Sequence, residues 1–357
     1  MVKHVYGTVA LVAVLLLSAC GGGDDGGTDE ASASASDTAA AATDEAPTDD
    51  GAADETGTGD ETGTDDAAAD DGAFPRTVTD ALGEVEIPTA PVRVVTLDQS
   101  LLDAAFVLDL EVVGYTTFAD PDGPIPELYG DAAQTTDATW VGDLQAPNLE
   151  VIAQIQPDLI LTSAVRHEAI RDQLAEIAPT VMTASAGAGW KDSIRLAGEA
   201  TGKEEAAEAA LTAYEERAAA VGEAIRAERG DPTVSVVRVV DVIRLYQPPS
   251  FSGVVLDDVG LSRPPSQQDS ENFISVISPE EIAEADADVI VYATFDDPRA
   301  EESVTELTGG ALWATLGAVQ AGEVYAVEDD EWMSGVGLFG ANAILDDLIT
   351  IFGIDVP

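Results

Sequence analysis

Residues 190–229 read WKDSIRLAGEATGKEEAAEAALTAYEERAAAVGEAIRAER, a stretch without a proline. Leu196, Ala200, Ala207, Leu211, Tyr214, Ala218, Val221 and Ile225 recur at spacings of three, four or seven, which places them on one helical stripe. Gly198 and Gly202 allow a break near the front, so one helix or two fit the pattern. Gly230-Asp231-Pro232 ends it. A stripe of this kind ordinarily faces a core. Its length adds something: roughly 26 residues at 1.5 Å each make about 40 Å, enough to cross from one lobe to another.

On both sides of this segment strands alternate with helices. Before it, Thr77 to Pro88 reads as a hairpin turning near Ala81-Leu82-Gly83, and Val92 to Leu97 as a buried parallel strand. Asp98 or Ser100 caps a helix over Leu101 to Leu110, and Val112 to Tyr115 is the next strand. Asn148 caps a short helix that Pro157 stops. Asp158 to Thr162 is a strand, Glu168 to Ile177 a helix, and Thr180 to Thr183 a strand. After it, Val234 to Val240 and Arg244 to Tyr246 are strands and Phe251 to Val259 a helix. Ser278 caps Pro279-Glu280-Glu281-Ile282, with proline at the first helical position. Asp288 to Tyr292 and Glu323 to Val327 are strands, Leu312 to Leu316 a helical turn, and Val336 to Phe352 the last helix. This order predicts an α/β protein of two Rossmann-like lobes, with parallel sheets covered by helices on both faces. Ligands of such sheets sit at the carboxyl ends of the strands, so the cleft between the lobes is the expected site.

Composition divides the remainder. Val9 to Leu17 is an apolar run too short to span a bilayer, and Leu17-Ser18-Ala19-Cys20 carries the sole cysteine of 357 residues. The pattern resembles a bacterial lipobox, implying a signal peptide over 1–19 and a lipidated Cys20. With one cysteine no intramolecular disulfide forms. Residues 21 to 73 hold 17 acidic groups and no Lys, Arg, aromatic or large aliphatic residue. Such a segment cannot bury enough apolar surface to order itself, so 20–73 is read as an acidic disordered tether, about 40 Å long as a random coil. The body, from residue 74, has 14 of the 15 basic residues and 51 of the 68 acidic ones, a net charge of about −37. That charge makes nucleic acid a poor partner, and fits either a salt-rich habitat or a surface charged for solubility. No later run of 18 apolar residues occurs, so the body is expected to be soluble. The predicted divisions are 74–189 for the first lobe, 190–229 for the connecting helix and 230–357 for the second lobe.

An ordered series of motifs carries a resemblance. Pro91-Val92-Arg93-Val94-Val95, Val141-Gly142-Asp143-Leu144-Gln145-Ala146-Pro147-Asn148-Leu149-Glu150, Gln156-Pro157-Asp158-Leu159-Ile160-Leu161 and Ile177-Ala178-Pro179-Thr180-Val181 stand in the first half. Phe251-Ser252-Gly253, Val259-Gly260-Leu261-Ser262-Arg263-Pro264, Ile277-Ser278-Pro279-Glu280 and Leu312-Trp313-Ala314-Thr315-Leu316-Gly317 follow in the second. Over 75 to 355 the chain resembles the iron-siderophore substrate-binding lipoproteins of ABC importers, close to the ferric-citrate and ferric-hydroxamate binders. The resemblance implies the class III periplasmic-binding-protein fold, with one long rigid helix joining the lobes and limited lobe motion. It implies a monomer outside the cytoplasmic membrane that captures iron(III) within a siderophore, binds no cofactor of its own, and delivers the chelate to a permease with its ATPase. It also implies that Glu150 and Glu280, each in a first helical turn, dock onto permease arginines. Acidic residues there also simply favour the positive helix end. The loop Asp143-Leu144-Gln145-Ala146 lacks the arginine that hydroxamate binders often carry, which points to a less anionic or differently shaped chelate.

The residues support a chelate rather than a bare metal. After Cys20 the chain holds one histidine, His167, whereas a zinc or manganese site wants several converging ligands. A chelate brings its own oxygen ligands and needs cations, shape and aromatic faces. Arg166, after a strand, and Arg238, in Val236-Val237-Arg238, are candidates for the cations, since a guanidinium offers fixed donors to chelate oxygens. Tyr246 and Trp332 are candidates for ring packing and hydrogen bonding. Each has an alternative: Arg238 pairs with Asp241 or another surface carboxylate, Arg166 is an exposed loop arginine, Tyr246 is strand packing, and Trp332 is a core tryptophan, the less natural reading for an acidic loop after a strand. Trp140 is read as packing and His167 as a solvated loop histidine. Rivals are a cobalamin or haem binder of the same fold, haem ordinarily wanting an axial His or Tyr. From other classes come a surface-anchored hydrolase and an adhesive or scaffolding lipoprotein. No Gly-x-Ser-x-Gly, P-loop or His-Glu-x-x-His occurs, so the chain is not read as an enzyme.

Overall fold

The computed structural model describes residues 74–116, 125, 127–130, 137–295 and 298–356. Cys20, the signal peptide over 1–19 and the tether over 20–73 lie outside the described residues. The hairpin is present: β1 (Arg76–Asp80) pairs antiparallel with β2 (Gly83–Ile87), and the Asp80 carboxylate accepts from Leu82 N–H at 2.8 Å to hold the turn.

The first sheet contains β3 (Arg93–Thr96), β4 (Glu111–Tyr115) and β5 (Thr139–Trp140). After a small hairpin of β6 (Gly142–Asp143) and β7 (Ala146–Pro147), it is completed by β8 (Leu159–Ser163) and β9 (Thr180–Thr183). Its order is β5-β4-β3-β8-β9, with every pairing parallel. The strands are apolar on consecutive residues because both faces are covered. Val94, Leu161 and Val181 pack toward α1 (Gln99–Val107) and α5 (Trp190–Thr201). Val95, Ile160 and Met182 pack toward α2 (Leu149–Ile155) and α4 (Arg171–Ala175). The short α3 (Ala164–His167) follows β8 directly. Asp98 caps α1 and Asn148 caps α2, as the sequence predicts.

The 190–229 segment is two helices. Gly202, at φ +73°, ends α5, and α6 (Glu204–Arg229) then runs for 26 residues. α5 packs on α1 in the first half. α6 buries Ala207, Leu211, Tyr214, Ala218, Val221 and Ile225, the predicted stripe. Its far end meets α7 (Phe251–Val259) so closely that a Cβ at Gly222 would run into the Val259 carbonyl.

The second sheet contains β10 (Val234–Val239), β11 (Ile243–Tyr246), β12 (Ile274–Ile277), β13 (Val289–Ala293) and β14 (Val324–Ala326), in the order β12-β11-β10-β13-β14. It is mixed rather than parallel throughout. β10, β13 and β14 are parallel, whereas β10-β11-β12 is antiparallel. Only Val240-Asp241-Val242 joins β10 to β11, and a parallel crossover needs a dozen residues or more. β12 and the helix α8 (Pro298–Thr308) were not evident in the sequence pattern. After α9 (Gly317–Ala321) and β14, the chain ends in α10 (Leu338–Phe352), which packs on α6, α7 and α1.

A carboxylate in one half caps a helix of the other. Asp103 of α1 accepts from Leu338 N–H at 2.7 Å and Phe339 N–H at 3.1 Å. The residue at the cap position of α10 is Gly337, which has no side chain to do this, and a Cβ there would collide with Asp103.

Candidate ligand site

Both candidate arginines stand at the carboxyl ends of the sheets, each bound to a buried carboxylate. β3 and β8 are neighbours, so Asp98, just past β3, lies beside Ser163 and Arg166, at the end of β8. Arg166 Nε donates to Asp98 Oδ2 at 2.7 Å, and Ser163 Oγ donates to the same oxygen at 2.6 Å. Asp98 is 1 % exposed, so these donors offset the loss of its water.

In the second half, β10 carries Arg238 toward β11 and the turn after β14. Its Nε donates to Asp329 Oδ1 and its Nη2 to Asp329 Oδ2, both at 2.6 Å, a two-pronged guanidinium–carboxylate pair. Nη1 donates to the Tyr246 hydroxyl at 3.2 Å. The Ser334 hydroxyl donates to Asp329 Oδ2 at 2.9 Å. Phe295, just past β13, lays its ring 4.1 Å from the guanidinium carbon. Burial works against the Arg238 charge, but hydrogen bonds to Asp329 and Tyr246 and their electrostatic attraction outweigh it and hold the group above its ordinary value.

Tyr129 marks the seam between the halves. It is buried, receives a hydrogen bond from Gln99 Nε2 at 2.7 Å, and meets Phe106 and Phe339 with ring centroids 5.3 and 5.5 Å away. Burial raises its hydroxyl pKa, and the charges of Asp103, Asp330 and Asp98 add to that. Tyr129 therefore lies within the electrostatic reach both of the carboxylate that pairs with Arg166 and of the residue next to Asp329.

Two sequence expectations change, those for Trp332 and His167, and the structure supplies the partners of the two arginines. Trp332 does not offer its ring to a ligand. It is 0 % exposed, its Nε1 donates to Asp347 Oδ2 at 2.8 Å, and it belongs to the core under α10. Asp330–Ser334 forms a single π-helical turn that rolls the indole inward. His167 is buried, not solvated, with Nδ1 2.6 Å from Thr162 Oγ1, and burial lowers its pKa despite the nearby Asp98 charge. Arg238 pairs with Asp329, while Asp241 lies 3.5 Å from Arg244. Arg166 is held by Asp98 rather than standing as an exposed loop residue. Tyr246 packs in the strand face, the alternative the sequence left open, and its hydroxyl accepts from Arg238. Trp140 packs, partly buried.

The sequence reading missed Asp98, Asp329 and Phe295 as site residues. Phe295 follows a strand's carboxyl end, a position that could have drawn attention. Asp329 sits in Glu328-Asp329-Asp330-Glu331, where nothing local distinguishes the paired acid.

Glu150 and Glu280 are both exposed. Asn148 Oδ1 accepts from Glu150 N–H at 3.1 Å and caps α2. Glu280 belongs to a 3-10 helix, Pro279–Ala285, whose capping box is closed by the neighbouring Glu281.

Residues 94–331 match the family model described as periplasmic binding protein. The chain belongs to the periplasmic binding protein family. Family members bind solutes and are not enzymes, and the architecture here is the class III form of α/β binding protein. The chain is 34 % identical over 288 residues to the probable siderophore-binding lipoprotein YfiY of Bacillus subtilis, covering 78 % of this chain and 87 % of that one. It is 29 % identical to the Fe(3+)-citrate-binding protein YfmC of the same organism, over 77 % of this chain and 85 % of that one. Among solved structures it is similar to Staphylococcus aureus SirA complexed with staphyloferrin B. The TM-score is 0.72 and the identity 31 %, with 78 % of this chain and 99 % of that one covered.

Proposed function

We propose that the protein captures an iron(III)-siderophore in the cleft at the strand ends and delivers it to an ABC permease in the membrane. The observation that carries this reading is the pair of arginine stations, Arg166 with Asp98 and Arg238 with Asp329, each at the carboxyl end of its own sheet in a chain related to siderophore binders. Arg166, Arg238 and Tyr246 are the proposed ligand-binding residues, joined by Phe295, while Trp332 is left to the core. Iron travels inside the chelate, and the protein grips the organic shell. Glu150 and Glu280 are the proposed permease contacts, one from each half. Two relatives are named lipoproteins, which supports an extracytoplasmic protein anchored through Cys20, acting as a monomer on a tether.

Calorimetric titration of the full chain with ferric hydroxamate, catecholate and citrate chelates, cobalamin and haem tests this. A ferric chelate is expected to bind with Kd on the order of nM to µM. Binding of cobalamin or haem alone would replace the reading with one of those rivals.

A further inference from the structure

Resting on the siderophore reading, we propose that this site selects ferric chelates of zero or positive net charge, with Arg238 serving as the hub of an aromatic platform rather than as an anion clamp. Three observations lead there. First, Arg238 is already committed. Asp329 takes both of its prongs at 2.6 Å, Tyr246 takes a third donor, and the Phe295 ring covers the guanidinium at 4.1 Å. What this assembly turns outward is Phe295, 43 % exposed, while Arg238 itself is 8 % exposed. Second, Arg166 is paired with the buried Asp98, its Nε donating to Oδ2 at 2.7 Å. Both stations are therefore neutral as ion pairs before any ligand arrives.

Third, the surroundings add no unmatched positive charge beside Arg238: Arg244, its cross-strand neighbour on β11, itself lies 3.5 Å from Asp241. The described residues that follow the carboxyl ends of the parallel strands are 97–98, 116, 125, 127–130, 137–138, 141–148, 164–170, 184–189, 240–242, 294–295 and 327–337. Arg166 is the only arginine in them, and they contain no lysine. Carboxylates recur in most of them, among them Asp137, Asp143, Glu168 and Glu328 to Glu331. An anionic chelate would have to break a guanidinium–carboxylate pair or sit beside uncompensated carboxylates. An uncharged or cationic chelate needs neither, and finds aromatic surface at Phe295, with Tyr246 buried behind it. The inferred ligand class therefore departs from the ferric citrate and staphyloferrin B named for two relatives.

The test is competitive binding to the full chain at low and high ionic strength. The probes are an uncharged ferric trihydroxamate, a ferric trihydroxamate with a free ammonium group, and a trianionic ferric tris-catecholate. The two trihydroxamates are expected to bind at least about tenfold more tightly than the trianion at low salt, with added salt weakening the cationic probe and strengthening the trianion. Asp329→Asn, which uncovers the Arg238 charge, is expected to improve trianion affinity by about tenfold. A trianion that binds tightest, and more weakly as salt rises, would overturn the charge preference while leaving the siderophore reading intact. Binding of no ferric chelate would overturn both.

Discussion

Arg238 and Trp332 were equivalent candidates in the sequence, and the structure separates them. Arg238 lies on a strand whose alternate residues Val236 and Arg238 face the same side, so its position on β10 fixed where its side chain would go. Trp332 lies in a turn without a period, and its direction depends on how the turn winds. With Nε1 bonded to Asp347 and the ring in the core, Trp332→Phe is expected to lower stability by about 1–3 kcal/mol through the lost hydrogen bond. Chelate affinity should stay within about twofold in calorimetry. A tenfold affinity loss in a variant that melts normally would return Trp332 to the site.

At the scale of elements, two contacts hold the long helices. Gly222 lets α6 approach α7, and the group that a methyl would strike is the Val259 backbone carbonyl, which cannot rotate away. Gly222→Ala gains helix propensity, about 1 kcal/mol, but overpacking costs about 1–3 kcal/mol. A net loss of stability is expected in urea unfolding, and a rise would show that α6 and α7 can separate without cost. The second contact is the cap that Asp103 lends to α10. Burial, only partly offset by the Leu338 and Phe339 N–H groups, pushes its carboxyl up to about 7 from 3.8. The folded protein then holds this proton more tightly than the unfolded chain, so its contribution to stability is full below pH 3.8 and is lost as pH rises toward 7. Burial raises Asp330 and Glu331 as well, with the same sign. Unfolding midpoints are expected to fall between pH 4 and 7, and Asp103→Asn, which cannot titrate, should flatten that slope. An unchanged slope in the variant would show that Asp103 is not the group responsible. The elements that escaped the sequence, β12 and α8, share a cause. β12 is a partly exposed edge strand without apolar alternation, and α8 reads PRAEESVTELT, more polar than any core helix.

For the molecule as a whole, the tested consequence is transport. Glu150 and Glu280 are exposed, and neither is part of the arginine stations. Reversing both to Lys is expected to bring cellular uptake down to background while the purified protein binds its chelate unchanged. Uptake equal to wild type in the double variant would sink the docking assignment. The whole-body charge of about −37 also predicts that added salt stabilises the fold, since screening relieves self-repulsion. A melting temperature that falls as moderate salt is added would contradict this.

The α/β alternation, the hairpin, the caps at Asp98 and Asn148, and the buried stripe of α6 were all legible from residue order, because each depends on neighbours within a few positions along the chain. The ordered motifs likewise identified the family before any coordinates. Tertiary structure alone decided which carboxylate pairs with each arginine, that Trp332 points inward, that β10 turns back on β11, and that α1 caps α10. Those outcomes join residues as far apart as Asp103 and Leu338, and in a chain with 68 acidic residues local sequence does not say which few are drawn into the interior to meet a cation.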